Sequence, residues 1–177
     1  MKFLPTTLRG AWKIALSEFT DERGFFARTF CAETFISHGL ESNFIQHSMS
    51  FSHKRGTIRG MHFQIAPHAE VKLVRCLRGA VYDVLLDLRP ESPTFRKWEA
   101  FELTSENPFQ LYVPKGFAHG FQSLVDNAEV SYLISEPYQP EAASGVRNDD
   151  PTFGITWPLP VAALSQKDRT WPDFIPG

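Results

Sequence analysis

The stretch VKLVRCLRGAVYDVLLDL, residues 71–88, is the strongest predictor of the fold of this chain. It contains two apolar, β-branched runs, Val71 to Leu77 and Ala80 to Leu88, separated by a glycine at position 79. Runs of this length bounded by turn residues are typical of β-strands. Similar runs recur at a spacing of roughly ten residues, which predicts an all-β sandwich or barrel. They are Phe44 to Ser52, Arg59 to Gln64, Trp98 to Leu103, Gln110 to Val113 and Val130 to Ile134.

Helical patterns are few. Ala32 to Leu40 predicts one short helix that ends near Gly39, and Pro158 to Ser165 predicts one or two further helical turns. The chain of 177 residues fits a single domain, residues 1–177, with a core large enough to fold unaided.

Composition excludes several classes of protein. The net charge of -2 lacks the basic surface of a nucleic-acid-binding protein. Cys31 and Cys76 are too few and too far apart for a disulfide framework or a zinc site. No apolar segment has the length of a signal peptide or a membrane span, so we expect no membrane partner and a cytoplasmic location.

The chemically most informative segment is Arg59-Gly60-Met61-His62-Phe63-Gln64, followed by Lys72 in the next strand. An imidazole can take a proton, and a guanidinium and an ammonium can hold anionic oxygen. The three groups therefore suit proton abstraction beside a carbonyl in a substrate that carries phosphate. Each also has a structural alternative: a core histidine, a surface salt bridge and an outward-facing lysine.

A second informative segment runs from Pro114 to Gly120. Its Pro-x-Gly-x-x-His turn resembles the second motif of the cupin superfamily, in which the histidine often binds a metal. A site formed by His62, His119 and Glu70 would be a facial triad with open positions. A metal-dependent cupin is therefore one alternative.

From about Asp21 to Asp168, the chain resembles the dTDP-4-dehydrorhamnose 3,5-epimerases, metal-independent members of the cupin superfamily. The resemblance implies a cupin-type double-stranded β-helix, or jelly roll, with a few short peripheral helices. It also implies a homodimer that needs no cofactor. It depends on the order and spacing of several blocks: Asp21 to Phe26, Arg59 to Gln64, Lys72 to Cys76, Asp83 to Asp87, Arg89, Ser92 to Thr94, Pro114 to Phe121, Tyr138 with Pro140, Trp157-Pro158 and Ser165 to Asp168.

The resemblance implies a catalytic group of four residues. His62 would be the general base and Asp168 its orienting carboxylate. Tyr132 would return a proton from the opposite face, and Lys72 would stabilise the enolate oxygen. The substrate would be a nucleoside-diphosphate-linked 4-keto-6-deoxyhexose, in which C3 and C5 both flank the carbonyl.

The resemblance also implies the substrate-binding residues. Gln46 and Arg59 would contact the diphosphate, His119 with Asp83 would line the sugar pocket, and Ser48, Tyr138 and Lys167 would complete the wall. Arg23, Phe26 and the residue at position 28 would reach the nucleotide in the neighbouring subunit.

Three positions depart from the family pattern. Arg28 replaces a glutamate that meets the nucleobase, Ser48 replaces an asparagine, and Ala143 replaces an acidic residue. Arginine only donates hydrogen bonds, so Arg28 would suit a base edge made of acceptors, such as that of cytosine. Alternatively, Arg28 points elsewhere and thymine is held by stacking and backbone contacts. The departures leave open an enzyme for a CDP- or GDP-linked sugar and an epimerase acting at C3 or C5 alone. A non-catalytic sugar-nucleotide binder is a further alternative, disfavoured because a binder would not need an opposed acid and base.

Overall fold

Thirteen strands and two short helices form the part of the chain that the computed structural model describes, residues 1–107 and 109–175. The strands are β1 Lys2–Pro5, β2 Trp12–Ala15, β3 Glu18–Asp21, β4 Gly24–Ala27, β5 Gln46–Ser52, β6 Ile58–Gln64, β7 Lys72–Arg78, β8 Ala80–Asp87, β9 Trp98–Thr104, β10 Phe109–Val113, β11 Phe117–Ser123, β12 Ala128–Ile134 and β13 Ala143–Gly145. The helices are α1 Ala32–Ser37 and α2 Gln166–Arg169. Neither described helix is long and apolar enough to cross a membrane.

Two antiparallel sheets pack face to face. Within the described residues, one has six strands in the order β1-β2-β10-β7-β12-β5, and the other has five in the order β13-β6-β11-β8-β9. Side chains alternate along each strand, so Val74 of β7 and Leu85 of β8 meet in the core between the sheets. This architecture confirms the all-β, cupin-type prediction.

The outer faces of both sheets are also covered. Phe35 of α1 packs with Leu73 on the six-stranded sheet, and Phe153 of the C-terminal segment packs with Val84 and Leu86 on the five-stranded sheet. Because both faces of β8 are buried, its sequence is a nearly continuous apolar run rather than an alternating one.

The helix predicted at Pro158 to Ser165 is wrong. This segment contains no helix, and its backbone bonds to the residues at and just before the start of β6: Ala162 N–H donates to Gly56 O at 2.9 Å, and Ile58 N–H donates to Ala163 O at 2.9 Å. Proline lacks an N–H donor, and hydrogen bonds to a neighbouring strand satisfy the groups that remain. The helix α2 begins one residue later, with Ser165 as its N-cap.

Other predicted boundaries also change. The helix α1 ends at Ser37 rather than near Gly39. The turn predicted over Pro114 to Gly120 is limited to its first residues, because strand β11 begins at Phe117 and contains His119. The short strands β1–β4 and β13 were not predicted.

A close approach of β6 and β11 requires glycine. Gly60 has a φ of 138°, and a Cβ atom there would lie 2.4 Å from the Cα of Gly120. No side chain fits in that space, so the glycine pair lets the two backbones come together. In the same ladder His62 lies opposite His119.

A buried carboxylate organises the loop after β8. Asp87 is fully buried and accepts hydrogen bonds from Arg89, Ser92 and Thr94. Burial alone would raise the pKa of Asp87, but these hydrogen bonds outweigh it and hold the pKa below the usual 3.8.

We predict that Asp87→Asn lowers the free energy of unfolding by about 3 kcal/mol at pH 7, because it leaves Arg89 without its partner. A lowered folded-state pKa means that the stabilisation is present above 3.8 and is lost as the pH falls below it. Urea titrations at several pH values check this: the wild type loses its advantage over the variant in acid. The control is Asp149→Asn, which breaks the ion pair of the exposed Asp149 with Arg147 and should change stability little. Equal stability of wild type and Asp87→Asn at pH 7 would contradict the prediction.

Candidate active site

A cavity of about 580 Å³ opens between the two sheets. Its walls come from β5, β7 and β12 of one sheet, from β6 and β13 of the other, and from the segment around the start of α2. The predicted site residues that line it are Gln46, Arg59, His62, Lys72, Tyr138, Lys167 and Asp168.

His62 and Asp168 form a hydrogen-bonded pair at the cavity wall. His62 Nε2 lies 2.6 Å from Asp168 Oδ1, although the two residues are 106 positions apart in sequence. The His62 side chain is 44% exposed, whereas that of Asp168 is 5% exposed. Asp168 is held in place because its backbone N–H donates to the N-cap Ser165 Oγ at 3.1 Å.

The charge of Asp168 determines the tautomer of His62. Burial would raise the pKa of Asp168, but its hydrogen bonds with His62, Ser165 and Gly60 hold the pKa below its usual value. Asp168 is therefore ionised near neutral pH, and an ionised carboxylate only accepts hydrogen bonds. His62 consequently donates from Nε2, which leaves the Nδ1 lone pair of the neutral ring available as a base.

Lys72 lies in the opposite sheet and reaches across to β6. Its Nζ donates to His62 O at 3.2 Å and lies 3.0 Å from Glu70 Oε1. The Lys72 side chain is 13% exposed and faces the cavity, so the outward-facing alternative is wrong. The ammonium group therefore lies beside the His62 strand, where it can stabilise negative charge on a bound oxygen.

Tyr132 and His119 lie near each other in the interior. Tyr132 OH is 2.9 Å from Ser50 Oγ, and its ring meets the His119 ring edge-on at 6.2 Å between centroids. His119 Nε2 lies 3.0 Å from both carboxylate oxygens of the buried Asp83. Burial, reinforced by the charge of Asp83, raises the pKa of Tyr132 despite opposing effects of Ser50 and Arg59. The phenol is therefore protonated and able to donate.

Arg59 is anchored beside the cavity by two contacts to β5. Its Nε donates to Ser52 Oγ at 3.2 Å, and one Nη donates to Phe51 O at 2.7 Å. A guanidinium has five donors, so the remaining N–H groups stay available to an anion. Lys167 also lines the cavity, with its Nζ 5.3 Å from the centroid of the Trp171 ring.

The described cavity does not include all predicted site residues. Tyr132, His119, Asp83 and Ser48 are not among its lining residues. Arg23 and Phe26 belong to the β3–β4 hairpin, and Arg28 follows it; none of the three contributes to this chain's own cavity. Arg23 forms an exposed salt bridge with Asp21.

The metal-binding alternative is not supported by the geometry. Among residues 1–107 and 109–175, no group of three or more His, Cys, Asp or Glu side chains is arranged to hold a metal ion. The three residues of the alternative triad instead have separate partners: His62 bonds to Asp168, His119 to Asp83, and Glu70 to Lys72.

Sequence reasoning missed Ser50, the hydrogen-bond partner of Tyr132. A signal was present, because Gln46, Ser48, Ser50 and Ser52 occupy every second position of β5 and so share one face. The pairing of Glu70 with Lys72 was also missed, because the sequence suggested Glu70 only as a metal ligand.

Comparison with known proteins identifies the family. A sequence model of the dTDP-4-dehydrorhamnose 3,5-epimerase family matches residues 5–175. The chain belongs to this family. A dTDP-4-dehydrorhamnose 3,5-epimerase of Methanothermobacter thermautotrophicus is 44% identical over 173 residues, which cover 96% of this chain and 92% of the relative.

Solved structures agree with the family assignment. That of a dTDP-4-dehydrorhamnose 3,5-epimerase from Bacillus anthracis, with TDP and PPi bound, has a TM-score of 0.94 and 41% identity, covering 98% of this chain and 99% of that one. A 3'-monoepimerase from Streptomyces bikiniensis, in complex with dTDP-quinovose, is less similar: its TM-score is 0.88 and its identity 35%, covering 95% and 85%. These comparisons do not favour the metal-dependent cupin or the non-catalytic sugar-nucleotide binder.

We predict that Asp168→Asn changes the tautomer of His62, because an amide can donate as well as accept. Long-range proton–nitrogen NMR spectra should show a neutral His62 protonated at Nε2 in the wild type, and a mixture with the Nδ1–H form in the variant. Asp173→Asn, which removes an exposed partner of Arg147, is the control. An unchanged His62 tautomer in Asp168→Asn would contradict the assignment.

Proposed function

We propose that the protein epimerises C3 and C5 of a dTDP-linked 4-keto-6-deoxyhexose through an enolate, in dTDP-rhamnose-type deoxysugar biosynthesis. Membership of the family supports this substrate. The observation that carries the proposal is the His62–Asp168 pair at the cavity, with the Lys72 ammonium beside it and Tyr132 on the opposite sheet.

In the proposed reaction, His62 Nδ1 removes the proton from the carbon next to the C4 carbonyl. That proton is acidic because the electrons it leaves behind can move onto the carbonyl oxygen. Asp168 stabilises the imidazolium that forms, and the Lys72 ammonium stabilises the anionic oxygen. The reaction moves only protons, so it does not require a redox cofactor.

Tyr132 is the proposed acid. Inversion requires that the new proton arrive from the face opposite the base, and Tyr132 comes from the six-stranded sheet while His62 comes from the five-stranded sheet. Its raised pKa keeps the phenol protonated, and the partner Ser50 orients it. The proposed base and the proposed acid therefore come from different sheets, and the acid carries a proton to donate.

The remaining predicted residues are proposed to bind the substrate. Arg59, Lys167 and Gln46 hold the diphosphate, since all three line the cavity and two are cationic. The sugar pocket is completed by His119 with its partner Asp83, and by Ser48 and Tyr138.

We infer that the active enzyme is a homodimer in which the β3–β4 hairpin completes the neighbouring site. The hairpin joins neither sheet, and Phe19, Phe25 and Phe26 on it are 65–68% exposed. Large exposed apolar side chains of this kind are typical of interfaces. Arg23, Phe26 and Arg28 would thereby reach the nucleotide bound by the partner.

The family match favours dTDP over CDP or GDP, which makes Arg28 a neutral replacement in this proposal. The 3,5-epimerases of M. thermautotrophicus and B. anthracis, at 44% and 41% identity, are more similar to this chain than the 3'-monoepimerase at 35%, which supports inversion at both carbons. The cytoplasmic location stays a prediction.

The roles of base and acid are separable by isotope exchange. In deuterated water with dTDP-4-keto-6-deoxyglucose, His62→Ala should lose exchange at C3 and C5 by roughly 10²- to 10⁴-fold while still binding dTDP. Tyr132→Phe should keep exchange but form inverted product more slowly by a similar factor. NMR follows both quantities.

Two controls test the specificity of these effects. His53→Ala removes an exposed histidine outside the cavity, and Tyr82→Phe removes a phenol packed against Trp157. Both should behave as wild type. Full exchange in His62→Ala, or normal product formation in Tyr132→Phe, would refute the respective role.

The dimer proposal is tested by mixing two inactive variants. Arg23→Ala/Phe26→Ala has an intact cavity, whereas His62→Ala has an intact hairpin. Each mixed dimer then contains one complete site, so an equal mixture should recover roughly a quarter of wild-type activity after subunit exchange. No recovery, or a monomer by light scattering, would refute the shared site.

A further inference from the structure

Glu70 has a buried carboxylate oxygen that the proposed mechanism does not use. Its side chain is 7% exposed and lines the cavity. Oε1 lies 3.0 Å from Lys72 Nζ, but the buried Oε2 has no hydrogen-bond partner among the described residues. An unpaired buried acceptor is costly, so such a group requires an explanation.

The position of Glu70 follows from the local sequence. Glu70 comes two residues before Lys72, the first residue of β7, and both side chains line the cavity. Val71 between them points to the opposite side, into the cluster around Phe35. The cavity wall therefore presents a donor, the Lys72 ammonium, directly beside an acceptor, the Glu70 carboxylate.

This pair complements an α-hydroxyketone. A ketone oxygen accepts a hydrogen bond, and a hydroxyl on the adjacent carbon donates one. If Lys72 contacts the oxygen on C4, the group next to it is the hydroxyl on C3, which would meet the free Glu70 oxygen. The other glutamate that lines the cavity, Glu136, is less suited because it lies 3.6 Å from Lys115 and its side chain is 30% exposed. The third carboxylate, that of Asp168, is hydrogen-bonded to His62.

We propose that Glu70 is a specificity-determining residue that accepts a hydrogen bond from the C3 hydroxyl of the bound 4-keto sugar. The inference rests on the proposed function. It commits the site to a sugar with a hydroxyl beside the ketone and predicts rejection of sugars that lack it. A 3-deoxy sugar would leave the buried Glu70 oxygen unpaired, and a pocket discriminates most strongly when the wrong substrate leaves one of its polar groups without a partner.

The test combines two substrates with two forms of the protein. The substrates are dTDP-4-keto-6-deoxyglucose and its 3-deoxy analogue, and the readout is deuterium incorporation at C5, which both sugars possess. Wild type should favour the 3-hydroxy sugar in kcat/KM by roughly 10- to 100-fold, as expected for a hydrogen bond to a charged group. Glu70→Gln should discriminate by less than about threefold, because an amide has one acceptor oxygen for two donors.

The controls separate recognition from folding and from the proposed function. Glu136→Gln removes the charge of the other glutamate in the cavity and should keep the wild-type discrimination. Thermal unfolding shows whether Glu70→Gln is folded. The preference of the wild type for the 3-hydroxy sugar over the 3-deoxy analogue tests the proposal without that variant. Equal rates of wild type on both sugars, or wild-type discrimination by folded Glu70→Gln, would overturn the role of Glu70 alone. No exchange by wild type on either sugar would overturn the proposed function and this inference with it.

Discussion

The hydrogen bond between His62 and Asp168 joins β6 to a helix near the far end of the chain, and the site depends on this connection. Asp168 could not reach His62 unless the C-terminal segment were held along the five-stranded sheet. Phe153 packs that segment against the sheet, and the Ile58–Ala163 backbone contact aligns it with β6. Apolar packing on the outer face of the five-stranded sheet therefore helps to position the His62–Asp168 hydrogen bond at the cavity.

The sequence predicted the central strands but not the short ones. Val71 to Leu77 and Ala80 to Leu88 are long enough to show a β-branched pattern, and they became β7 and β8 with small changes at their ends. The strands β1–β4 and β13 contain three or four residues each, too few for a recognisable alternation. Pro158 to Ser165 was misassigned because its structure depends on bonds to β6, which lie outside the segment.

The site was predictable to a different degree. The resemblance named His62, Lys72, Asp168 and Tyr132, and the structure places the first three around one cavity. What local sequence could not show was which polar groups pair across the fold. The Ser50–Tyr132 contact depends on the register of β5 with β12, and register is set by the packing of whole strands.

The two-sheet architecture also suits the proposed epimerisation. Packed sheets lie roughly 10 Å apart, so the sugar ring of a substrate bound between them would have one sheet on each side. His62 comes from one sheet, and Lys72 and Tyr132 come from the other. Lys72 crosses the gap to contact His62 O, which places a positive charge close to the proposed base, while Tyr132 stays on the far side with Ser50. In the proposed reaction, the proton therefore leaves toward a residue of one sheet, and the new proton comes from a residue of the other sheet.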